Sequence, residues 1–207
     1  MTTHVADLQI VAVSRLLSEL GLSQTLISPL AAHADAVEHD ADRLGLVSLG
    51  DIGSVLSRHT ADSLLFALAR APEPGERWVD VGSGAGFPGL VLAMCYPDAI
   101  FTLIEPQQRR AGFLDLQVTR LGLVNARVLG VRAADVDETF DVATARALAE
   151  PLLAFEAMRA LVPAGPCLIA VGESATALAG VDDLDVSRAG VDSPGRIFMM
   201  TQAAEGA

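Results

Sequence analysis

A chain of 207 residues, 51% hydrophobic and 19% charged, has enough apolar surface for one well-buried core with a small appendage and too little for two. The net charge of −12 weighs against a nucleic-acid partner, because phosphate neutralisation is the work of cations. No apolar run reaches the roughly 18 residues of a membrane span, and the opening MTTHVADLQIVAVSRLLSEL has neither a basic leader region nor a cleavage site, so a soluble cytosolic protein is expected.

All 14 cations are arginine, which together with the Ala, Gly, Asp and Val richness reads as a compositional bias more than as selection for phosphate binding. Cys95 and Cys167 both lie in apolar segments and read as reduced core thiols. His4, His33, His39 and His59 make no ligand-spaced cluster with them, so no metal is expected.

In chain order, three helices precede residue 72. Asp7 to Leu20 carries Leu8, Val11, Leu16, Leu17 and Leu20 near 3.6 spacing and stops at Gly21. A second helix is predicted from Ser23 to Val37, restarting near Pro29. A third is predicted to begin at Ser48, which with Asp51 resembles a capping box, and to continue through IGSVLSRHTADSLLFALAR. APEPGE is the clearest linker, separating a helical cap, residues 1–71, from a second unit, residues 72–207.

Beyond the linker, short β-branched runs alternate with amphipathic helices. The strands RWVDV, AIFTLIE, ARVLG, FDVATA and PCLIAV, with helices from Pro88, from Gln107 to Leu121 and over EPLLAFEAMRAL, predict a doubly wound α/β fold with a mostly parallel sheet. Two further strand-like runs around SPG predict a terminal antiparallel hairpin, which fits a methyltransferase sheet better than a second dinucleotide-binding half.

The stretch RWVDVGSGAGFPGLVLAM fits two loop patterns at once. Gly84, Gly86 and Gly89 spell the dinucleotide fingerprint GxGxxG; Asp80, Gly82, Gly84 and Gly86 spell DxGxGxG, the usual loop for S-adenosylmethionine (SAM). Either way, a glycine loop entering a helix offers backbone N–H groups and room for close approach. Asp80, ending the first strand, is placed to order that loop and to meet the ammonium group of SAM. Glu105, ending the second strand, is placed to accept from two ribose hydroxyls, which both ligand classes possess. The acid at Asp80 favours SAM, and the GxGxxG ending at Gly89 reads as incidental.

Four stretches, RHTADSLL, DVGSGAGFPGLVLA, RRAGFL and FDVATARALAEPL, resemble in order and spacing the RsmG or GidB family of bacterial small-subunit ribosomal RNA guanine-N7 methyltransferases. The resemblance runs from about Ser48 to Val171. It implies a class I SAM-dependent methyltransferase with an N-terminal helical cap, SAM as cofactor, and small-subunit ribosomal RNA or its particle as partner, with a monomer expected. It places Gly82, Phe87, Ala133 and Ala134 against SAM, Arg146 at the family's active-site arginine, and Arg58 and His59 on the cap facing the same cleft. Arg109 and Arg110 replace a lysine–arginine pair expected to meet RNA phosphate. The plainer readings are a solvated helix face for Arg58 and His59, surface charge for Arg109 and Arg110, and a loop ion pair for Arg146.

The chain departs from the family at GLVS before the third helix, at Val171 and in MMTQ, where lysines or basic residues are usual, and at Ala134, where an acid is usual. Guanine N7 has a lone pair and no proton to lose, so a site without a general base suits it, and Arg146 can address guanine O6, the ring face or a phosphate. With seven Phe, one Tyr and one Trp, base-stacking platforms are scarce. A SAM enzyme for a small molecule, a non-catalytic SAM-binding module and, last, an NAD-dependent oxidoreductase stay open at this point.

Overall fold

The computed structural model describes residues 2–146, 151–189, 191, 193 and 195–201. Seven strands form one sheet in the order β3-β2-β1-β4-β5-β7-β6. The parallel strands are β1 (Arg77–Val81), β2 (Ile100–Ile104), β3 (Ala126–Leu129), β4 (Val142–Arg146) and β5 (Pro166–Val171). The last, β7 (Arg196–Thr201), inserts antiparallel between β5 and the edge strand β6 (Asp182–Asp185). The terminal pair is thus antiparallel, and the sheet is that of class I SAM-dependent methyltransferases rather than of a double dinucleotide-binding fold. Three aspartates, Asp182, Asp183 and Asp185, populate the outer strand, and charge of this kind blunts an open edge.

Helices α4 (Gly89–Cys95), α5 (Gln108–Arg120) and α6 (Pro151–Leu161) cross between the strands. The order of strands reverses beside β1, so the ends of β1, β2 and β4 surround a crevice at the carboxyl edge, where open α/β sheets bind ligands. At the opposite end of β1, Trp78 is buried against Phe101, its indole N–H donating to Glu76 at 3.1 Å and the Arg70 guanidinium lying 5.7 Å from its ring.

The cap consists of α1 (Thr2–Glu19), α2 (Ile27–Leu44) and α3 (Ala61–Ala69). The first ends as predicted at Gly21, in the left-handed region at φ 68°. Leu22 N–H returns to Leu17 O and Gly21 N–H to Ser18 O, the paired bonds of a Schellman end. The second runs seven residues beyond Val37, to Leu44. Its apolar stripe continues through Ala41 beneath a polar run, and Pro29 sits in its first turn, where no N–H partner is required.

The third departs from expectation. Ser48 does not cap a helix: its hydroxyl donates to Asp51 Oδ2 at 2.7 Å within a short 3₁₀ turn, Leu49–Asp51, and Gly53 at φ 83° breaks the chain's course. A π-turn, Leu56–Thr60, then leads into α3. Hydrophobic spacing carries across this break because the turns keep Val55 and Leu56 inward.

Cap and sheet share one core. Val13, Leu16, Leu30 and Phe66 pack in the same cluster as Leu90, Phe101 and Leu168, while the other sheet face has its own cluster around Phe155, Met158 and Phe198. Gly89 makes the close approach of α4 to the sheet. A Cβ there would stand 2.4 Å from Leu103 Cδ2 and 2.6 Å from Asp80 Cβ. The third glycine of the GxGxxG is therefore not incidental: it does the helix-to-strand packing that such a glycine does in dinucleotide folds.

Candidate active site

The glycine loop leaves β1 and is held at both ends by carboxylates. Asp80, 2% exposed, accepts from Gly89 N–H at 3.1 Å and from Thr144 Oγ1 at 3.2 Å. Burial pushes its carboxyl up to about 6, against the hydrogen bonds it accepts. Thr144 is its direct cross-strand partner on β4. Asp80 thus fastens the loop to the first turn of α4 and to the neighbouring strand.

Glu105, at the end of β2, spans the loop from the other side. Its Oε2 accepts from Gly84 N–H at 2.9 Å and its Oε1 from Gln107 N–H at 2.8 Å. Each oxygen retains a second lone pair. Gly82, Gly84 and Gly86 all sit at positive φ, at 73°, 56° and 97°. A Cβ on Gly84 would meet nothing nearer than Gly82 O at 3.9 Å, so the loop is open there beside Glu105; one on Gly86 would strike Leu90 Cβ at 2.8 Å. A cradle open above one glycine and edged by a carboxylate fits the adenosine half of SAM.

Ala133 and Ala134 lie beyond β3 in a 3₁₀ turn, Ala133–Asp135, the first half-buried and the second exposed. An acid does stand in this turn, one place after Ala134, at Asp135.

Phe87 is 3% exposed, with its ring between two cap histidines. His33 lies 5.3 Å away and tilted, His59 5.5 Å away and stacked, and the Arg146 guanidinium 5.1 Å from the ring centre. Its side chain therefore faces the cap.

Arg146, at the end of β4, donates from Nη1 to His59 Nδ1 at 2.7 Å and to Asp62 Oδ2 at 3.3 Å. A guanidinium has only donors, so His59 accepts at Nδ1 and carries its proton on Nε2, which faces Asp51 Oδ2 at 3.2 Å without hydrogen-bond alignment. Burial, and then the Arg146 charge, hold the His59 ring down to about 4, so it is neutral. Arg58 pairs with the other oxygen of Asp51 at 3.0 Å.

A sequence-family model for GidB, described as rRNA small subunit methyltransferase G, matches residues 27–182. The chain belongs to this family. It is 41% identical over 160 residues to "Ribosomal RNA small subunit methyltransferase G" of Acidiphilium cryptum, covering 75% of this chain and 73% of that one. The protein of the same name from Roseiflexus castenholzii is 38% identical over 137 residues, 63% of this chain and 58% of that one. Among solved structures, a SAM-dependent O-methyltransferase from Thermotoga maritima aligns with a TM-score of 0.54 at 15% identity, over 70% of this chain and 66% of that one, a likeness of fold.

In this GidB chain the two arginines after β2 part company. Arg110 reaches back to the cap, donating to Gly45 O and, at 3.4 Å, to Leu44 O, and so closes the C-terminal end of α2. Arg109 lines a cavity of about 440 Å³ between α2 and α5 with Arg43, Asp40 and Phe113. The family resemblance placed Arg146, Arg58 and His59 at one cleft; Asp62 and Thr144, and Asp51 as anything but a helix cap, join them only in the fold. Thr144 had left a signal, as a polar residue inside an apolar strand. Asp62 had one too, three residues after His59 and hence on the same helix face. Among the described residues no group of three or more potential metal ligands occurs.

Proposed function

We propose that the chain transfers the methyl group of SAM to N7 of a guanine in small-subunit ribosomal RNA. The family and the sheet support SAM-dependent methyl transfer to small-subunit ribosomal RNA; the guanine N7 acceptor rests on the state of the side chains at the cleft. The observation that carries it is the occupied lone pair of His59. The imidazole beside Arg146 is neutral, but its Nδ1 already accepts from Arg146. Asp62 is paired with the same guanidinium, and Asp80 is buried beneath the loop. These groups are built to hold, not to take a proton, which suits a nucleophile with no proton to lose.

When bound, SAM supplies an electrophilic methyl group on a sulfonium. Glu105 accepts from the ribose hydroxyls with the lone pairs its backbone partners leave, and the loop from Gly82 to Gly86, tied down by Asp80, keeps that carboxylate in register. Arg146, steadied over Phe87, directs its remaining N–H groups at guanine O6 or at the adjoining phosphate, aligning acceptor and donor. Arg109 and the cavity it lines meet the RNA backbone, whereas Arg110 is committed to the cap. Residues 1–71 act as the cap over residues 72–207, and the protein works as a monomer in the cytoplasm, where small subunits are found.

The test is mass spectrometry of small-subunit RNA nucleosides from cells with and without the gene. Loss of one 7-methylguanosine, restored by wild-type protein, is expected. An unchanged nucleoside profile, with SAM still bound by the purified chain, would move the acceptor to a small molecule.

A further inference from the structure

We propose that Asp62 is a positioning residue for Arg146, and that Ser193 holds Asp62 in turn. The inference rests on the reading of Arg146 as the group that faces the acceptor base. The π-turn Leu56–Thr60 sets the phase of α3 so that His59 and Asp62, three residues apart, both reach the end of β4. They take the same Arg146 nitrogen, Nη1, at 2.7 and 3.3 Å. Phe87 lies against the guanidinium. One corner of the guanidinium is thus fixed by two cap residues and its plane by a ring, which leaves the side chain little choice of direction.

Asp62 is itself fixed. Its Oδ1 accepts from Ser193 Oγ, in the connection between β6 and β7, and Ser193 Oγ also accepts from Gly195 N–H at 3.2 Å. Arg146 and Asp62 are only 17% and 14% exposed at their side chains, so each compensates a charge that water reaches poorly. His59, held neutral, offers Arg146 a lone pair but no charge, which leaves Asp62 as the sole carboxylate in ion-pair contact with it among the described residues. Three separate parts of the chain, cap, β4 and the β6–β7 connection, converge on one carboxylate.

The experiment compares Asp62→Asn, Ser193→Ala, Arg146→Ala and the double variant Asp62→Asn with Arg146→Ala. Methyl transfer is followed with tritiated SAM on small-subunit particles from cells lacking the gene, alongside calorimetric SAM binding. Asp62→Asn is expected to lower kcat about 10- to 100-fold while the Kd for SAM stays within about twofold, since the loop is tied down by Asp80 and Glu105. Ser193→Ala is expected to act in the same direction and less. In the Arg146→Ala background, Asp62→Asn is expected to do nothing further, because Asp62 acts through Arg146.

A lowered melting temperature alone follows from either role; a merely structural role would instead lower SAM affinity and would add in full to Arg146→Ala. Either that result or full activity of Asp62→Asn overturns the proposal. An active Arg146→Ala would sink the reading of Arg146 itself, a different failure. A readout independent of the acceptor is the Arg146 side-chain N–H resonances: resolved in the wild type, broadened in Asp62→Asn. Unbroadened resonances count against the proposal whatever RNA is methylated.

Discussion

Two buried carboxylates hold the glycine loop, and they hold different things. Asp80 accepts from Gly89 and Thr144, so it joins strand, helix and loop; Glu105 accepts from Gly84 and Gln107, so it lies along the cradle itself. Glu105→Gln replaces one acceptor oxygen by an NH₂ group facing a backbone N–H. A polar group left unsatisfied in such a site costs about 1–3 kcal/mol. The expected outcome is a lowered thermal midpoint, since both backbone N–H groups are held without ligand, together with SAM affinity weakened roughly 10-fold or more because a ribose acceptor becomes a donor, read by calorimetry. At this scale the sequence was informative where chemistry needs a particular atom: an acid at each strand end and an arginine after β4. Asp62 beside His59 and Asp51 as a cap candidate were visible in it, but not their pairing with Arg146 and Arg58, which has no pattern of its own until folding brings the guanidinium groups to them.

Arg109 and Arg110 are adjacent in sequence and almost a third of a turn apart on α5, and that rotation separates their work. Arg110 meets the last carbonyls of α2, while Arg109 faces the cavity. Arg110→Ala is expected to cost about 1 kcal/mol or somewhat more in denaturant unfolding through the lost helix end, with salt dependence of RNA binding unchanged. Arg109→Ala should leave stability alone and reduce the slope of log affinity against log salt by roughly one contact. The same element scale shows what periodicity reads and what it misses. Strands declared themselves through short β-branched runs, and the second helix was legible in place but not in its bounds, which are Ile27–Leu44. The third helix is shorter than its periodicity predicts because apolar spacing survives a 3₁₀ turn, a glycine at φ 83° and a π-turn, none of which alters which residues are hydrophobic.

At the scale of the molecule, the cap and one sheet face share a core, and His33 and His59 sit in the seam. His33 is fully buried on Phe87 and Phe113, its ring nitrogens without an aligned hydrogen-bond partner among the described residues, and burial holds it down to about 4 against the opposing pull of Ala85 and Gln117; His59 is lowered likewise. A group depressed on folding contributes stability that is present above its unfolded value and lost as pH falls toward its folded one, here from about 6.5 to about 4. Asp80, raised to about 6, works the other way and offsets part of one histidine's effect below that pH. The melting temperature should therefore fall on acidification between pH 6.5 and 4.5. His33→Phe, which keeps the ring and removes its nitrogens, should remove most of that fall, because Asp80 then nearly offsets the remaining histidine, without lowering the midpoint at neutral pH. A wild-type midpoint constant across that interval would contradict this.

The chain has one tryptophan, and the fold puts it at the base of β1, away from the carboxyl edge. Trp78 is therefore an optical probe of a single kind of event. Its emission follows the loosening of the sheet and the exposure of the indole to water. Adding a ligand at the other end of the strands is expected to leave that environment alone. Fluorescence can then count folded molecules while a separate signal counts occupied ones, in the same sample and without a label.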